Sequence, residues 1–118
     1  MNADGLKDLF APFAAVAVKR MFGGHGVYAD GLCFAVEAEG EVFVKVDAET
    51  AQAFSAAGSS PFVYSAKGRP MTMAYWRLPA AAYDDGDALR RWCALGLEAA
   101  RRAAAAKAKP KRKSVRTM

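Results

Sequence analysis

The chain has few of the residues from which most active sites are built. It has one histidine, His25, and two cysteines, Cys33 and Cys93, with no C-x-x-C spacing. One imidazole and two distant thiols are too few ligands for a zinc site. Two thiols without a pairing pattern read as buried cysteines of a reducing compartment. No apolar run is long enough to span a bilayer. The N-terminus, Met1-Asn-Ala-Asp-Gly5, lacks the basic-then-apolar order of a secretory leader. The expected location is therefore the cytoplasm, with no membrane association. The carboxylates are scattered over turns and helix starts. Asp84, Asp85 and Asp87 do cluster, but charge at a helix start accounts for them.

Acid is also absent from the last twelve residues, and this decides how the net charge of +5 is read. Lys107, Lys109, Lys111, Arg112, Lys113 and Arg116 give that segment +6, so residues 1–106 sum to −1. The expected organisation is one folded domain over 1–106 and a disordered basic tail over 107–118, because Pro110 and the charge density forbid a packed continuation. By this count, a polyanion meets the tail and not the body.

Asp4 is placed as the cap of a first helix carrying Leu6, Leu9, Phe10 and Phe13 on one side, limited by Pro12. Strands follow over about 16–22, 25–29, 32–37 and 41–46. Asp30-Gly31 and Glu39-Gly40 are the turns between the last three. Asp47 starts a helix that Gly58 ends, a hairpin pairs 62–65 with 71–78, and a last helix runs from about Asp85 to Ala106. The fold class is α+β: an antiparallel meander with helices on one face, two layers, order α-β(3-4)-α-β(2)-α.

Gly23-Gly24-His25-Gly26 fits neither a P-loop nor a dinucleotide fingerprint, since no Lys-Ser/Thr and no helix follow it. It reads as a bend in a twisted sheet. Strict alternation puts His25 and Cys33 on opposite faces, which denies them a nucleophile–base pairing. No catalytic, cofactor-binding or metal residue is assigned, and no small-molecule substrate. Lys67, Arg69 and Arg77 near Tyr64, Tyr75 and Trp76 form a basic–aromatic set, read as a hairpin kept soluble by charge and not as a stacking surface. The same alternation gives one sheet face Val27, Phe34, Val36 and Phe43, beside His25 and Lys45. The other face receives Tyr28, Cys33, Ala35, Val42, Val44 and Val46. Lys45 marks the first as the outer face, so Val27, Phe34, Val36 and Phe43 are the expected interaction surface for a protein partner or a second copy.

Several segments carry a resemblance in a fixed order. They are Lys19-Arg-Met-Phe-Gly-Gly-His-Gly-Val-Tyr28, Val42-Phe-Val-Lys-Val-Asp47, Pro61-Phe-Val-Tyr64, Lys67-Gly-Arg-Pro70 and Met73-Ala-Tyr-Trp-Arg-Leu-Pro79. Together they resemble the N-terminal domain of the TfoX (Sxy) competence regulators over about residues 6–100. The resemblance implies this α+β fold in a cytoplasmic bacterial protein. It implies a non-enzymatic regulatory or protein-interaction module, coactivator-like in transcription. In longer relatives a second domain follows. Here the basic segment stands at that place, so a stand-alone form is expected. The alternative function is weak nucleic-acid association through Lys107, Lys109, Lys111, Arg112, Lys113 and Arg116.

Overall fold

The structure is a computed structural model that describes residues 1–21, 23–66 and 68–108, with the side chains of residues 64–66 and 69–73 left out. The elements are α1 (Ala3–Phe10), β1 (Ala17–Met21), β2 (Gly24–Ala29), β3 (Leu32–Ala38), β4 (Glu41–Lys45), α2 (Ala51–Ala56), β5 (Pro61–Ala66), β6 (Arg69–Arg77) and α3 (Gly86–Ala108). A 3-10 turn, Ala80–Tyr83, precedes α3. The strands form one antiparallel sheet in the order β1-β2-β3-β4-β6-β5. The expected α+β architecture and element order are those found.

The turns form where residue chemistry allows them. Asp30-Gly31 and Glu39-Gly40 both have positive φ at both positions, the geometry of a type I′ hairpin. The helix starts differ from expectation. Asn2, not Asp4, caps α1, its side chain accepting from the Gly5 amide at 2.8 Å. Asp47 makes an Asx-type turn, accepting from the Glu49 and Thr50 amides, and α2 begins only after Thr50. Asp85 caps α3, accepting from the Asp87 amide at 2.9 Å. The last helix continues to Ala108, so Lys107 lies in its final turn and not in a tail. Lys109, Lys111, Arg112, Lys113 and Arg116 lie outside the described residues.

One core binds the layers. Leu6 and Phe10 of α1, Phe54 of α2 and Leu89, Trp92, Cys93 and Leu97 of α3 meet Val27, Phe34, Ala35, Val42, Val44 and Val46 of the sheet region. Phe34 takes edge contacts from Phe10 and tilted contacts from Phe13. Helix α3 lies close on the sheet at Gly96, where a Cβ would collide with Val44. Burial pushes the Cys93 thiol up to about 12.

Candidate interaction surface

The candidate site is the sheet face opposite the helices, and a bulge decides which residues form that face. In the β2–β3 hairpin, Tyr28 pairs with Cys33 but Val27 pairs with Ala35, leaving Phe34 as the extra residue. Phe34 and Ala35 therefore both belong to the core, and the alternation beyond them reverses. His25 then faces Glu37, not Val36. The bulge splits the expected surface of Val27, Phe34, Val36 and Phe43. Val27 and Phe34 are buried against the helices. Val36 and Phe43 pair with each other on the opposite face, in register with Gly26 and Arg77. Tyr28 and Cys33, expected in the core, stand outside it with them.

Phe43 is only 2% exposed, yet it is not part of the helix-side core. Phe62 covers it, with ring centroids 4.4 Å apart, and the Arg77 guanidinium lies 5.6 Å from its ring centre. Arg77 is held in turn by Glu41 at 2.7 Å. Elsewhere on this face Lys19 Nζ sits 4.9 Å from the Tyr28 ring centre and Lys45 Nζ 5.1 Å from that of Tyr75. The Tyr75 hydroxyl donates to Cys33 Sγ at 3.8 Å, and the thiol donates to the Ala35 carbonyl. Burial first, then the Cys33 thiol, pushes the Tyr75 hydroxyl upward. Tyr28 is also raised, first by Cys33 and then by burial. At Gly26, a side chain would collide with Met21 and crowd Tyr28. The glycine is the floor on which those two side chains rest.

His25 belongs to the other side of the sheet. Its Nδ1 lies 2.7 Å from Glu37 Oε1, and Glu37 Oε2 accepts the Gly40 amide at 2.9 Å. His25 and Cys33 are thus on opposite faces, as alternation implied. The glycine bend is backbone geometry: Gly23 has φ +79°, and a Cβ at Gly24 would collide with the Glu37 carbonyl. Of the basic–aromatic set read in the second hairpin, Arg77 and Tyr75 are brought together on the open face. Trp76 packs toward the helix-side core. Lys67 and the side chains of Tyr64 and Arg69 lie outside the described residues. The sequence does not mark Lys19 and Tyr28 as a pair, because only the register of β1 on β2 brings them together. Met21 opposite Gly24 fixes it.

Among the described residues, no group of three or more His, Cys, Asp or Glu side chains is placed to hold a metal ion, and no helix is long and apolar enough to cross a membrane. Compared with known families, residues 8–100 match the model of the TfoX N-terminal domain. No curated protein sequence matches the chain.

Proposed function

Because the chain belongs to the TfoX N-terminal domain family, we propose that it is a non-enzymatic regulatory module, coactivator-like in competence-gene transcription, acting by contact through its open sheet face. One observation carries this reading. Tyr28, Val36, Phe43, Phe62, Tyr75 and Arg77 form a continuous aromatic and basic face outside the helix-side core. Aromatic residues and Arg are the types enriched at the centres of contact surfaces. Supporting a binding role over a catalytic one, His25 is engaged by Glu37 and turned away from Cys33.

The test is capture from the native cytoplasm with the wild-type chain and with Val36→Glu, each with and without nuclease. Val36 is partly exposed and lies outside the core, so its substitution should leave the core intact. Circular dichroism checks the fold. The reading expects a captured species that Val36→Glu no longer retains. Identical capture by both chains would sink it. The second reading, polyanion contact through the C-terminal segment, is favoured by the +6 charge of residues 107–118 against −1 for the rest.

A further inference from the structure

We propose that the open sheet face is a platform for single-stranded nucleic acid. The proposal rests on the reading of that face as the contact surface, and it names the partner's chemistry. The near-neutral charge of residues 1–106 conceals a polarised surface. Lys19, Lys45 and Arg77 lie over the rings of the open face. Four acids of the sheet and its connections are neutralised or turned away. Glu41 is bound by Arg77, and Glu37 faces His25 on the helix side. Asp30 and Asp47 are bound by Arg101 and Arg102 of α3. Two lysines remain without an acidic partner in any of these pairs.

The arrangement alternates cation and ring. A single strand needs both: ammonium groups for its phosphates and flat apolar faces for its bases. Tyr28, Tyr75 and Phe62 are partly exposed, and Phe43 packs against Phe62 beneath Arg77. An exposed cation–π contact is weak. A phosphate therefore draws each lysine outward along its flexible stem and uncovers a tyrosine for stacking. The surface does not suit a duplex, because the face of a six-stranded sheet presents no helix or two-stranded ribbon to enter a groove. A second copy fits poorly too, since a two-fold contact would set faces of the same sign against each other. Helix α3 adds to the case. Arg102 and Ala103 share a surface hollow with Lys45 and Ala74, so α3 runs past the Lys45 end of the sheet. In sequence, the last five cations of the chain follow it.

The test uses the full chain with Lys109, Lys111, Arg112, Lys113 and Arg116 all replaced by Gln, which isolates the face. The probes are a fluorescent dT20 strand, the corresponding duplex and poly-glutamate, followed by anisotropy. The neutral-tail chain should bind dT20 at about 50 mM salt more tightly than either control, with a log–log salt slope of about −1.4 for the two phosphate contacts of Lys19 and Lys45. Amide shifts should centre on Lys19, Tyr28, Val36, Lys45 and Tyr75. Lys19→Glu with Lys45→Glu should weaken binding by about tenfold or more. Tyr28→Leu should weaken it by about fivefold or more, while Tyr28→Phe, which keeps the ring, should not. No binding of dT20 by the neutral-tail chain, or equal binding of duplex or poly-glutamate, overturns the proposal. Nuclease-resistant capture that depends on Val36, without dT20 binding, also overturns it. That outcome leaves the contact surface standing and assigns it to a protein.

Discussion

Glu37 is only 5% exposed, and a carboxylate so buried must be accounted for by its partners. Burial pushes its carboxyl up. The His25 contact, the Gly40 amide and the amino-terminal charge 3.7 Å away more than offset this, so the group lies below the ordinary carboxylate range. Asp47 is lowered as well, chiefly by its bond from Arg102. A carboxylate lowered in the folded state contributes stability that is present above its unfolded value. That stability is lost as pH falls through the folded value. Resistance to urea should therefore fall on acidification below about pH 4.5. Glu37→Gln should cost about 2 kcal/mol at neutral pH and flatten that acid limb. Parallel stability–pH curves for the two chains would show that Glu37 is not a source of the dependence. Nothing local in the sequence marks Glu37 for this role. Its contact with His25 follows from the pairing register, which depends on a residue three positions earlier.

At the scale of elements, that residue is Phe34. Element order was legible because the punctuation is strong: Asp-Gly and Glu-Gly turns, the Gly58 break and the acid-rich start of α3 each have one inexpensive reading. Helix starts shifted by a few residues because capping is a competition among neighbours. Asn2 reaches the Gly5 amide better than Asp4 could, and Asp47 spends its side chain on a turn. Sheet sides were legible only as far as the bulge. From β4, the assignment of Val42, Val44 and Val46 to the helix side holds, and Phe43 and Lys45 stand opposite. From β2 and β3, strict alternation exchanged Tyr28 and Cys33 with Val27 and Phe34, because a one-residue insertion flips every side chain before it. The bulge predicts an asymmetry in stability. Phe34→Ala empties a core site between Phe10 and Phe13 and should cost about 3–5 kcal/mol. Val36→Ala, partly exposed on the other face, should cost under about 1 kcal/mol. Denaturant melts of both variants give the comparison. Similar losses would place the two residues on the same side of the sheet and remove the bulge from the account.

Across the whole molecule, charge is separated twice: along the sequence, between body and C-terminal segment, and through the sheet, between helix side and open face. The pairs Arg101–Asp30 and Arg102–Asp47 tie α3 to the β2–β3 turn and to the chain after β4. They also neutralise two of the acids in the body's formal count. A formal count over residues 1–106 cannot see this, because it sums groups that the fold places on opposite sides. The two separations predict different behaviour toward duplex and single-stranded DNA. If six C-terminal cations contact duplex phosphates, log K should fall against log salt with a slope of about −5. That is a loss on the order of a thousandfold between about 50 and 200 mM. Useful duplex binding would then require low salt, or a partner that holds the domain near DNA and raises its effective concentration. Replacing the five cations beyond Ala108 with Gln should remove nearly all of that duplex affinity. It should leave the melting temperature unchanged, since the described core is built from residues 6–100. If the neutral-tail chain keeps both its duplex affinity and the steep slope, the electrostatic site for duplex lies on the folded domain. The exposed cations of the β1 edge, Lys19 and Arg20, would then be the first to replace.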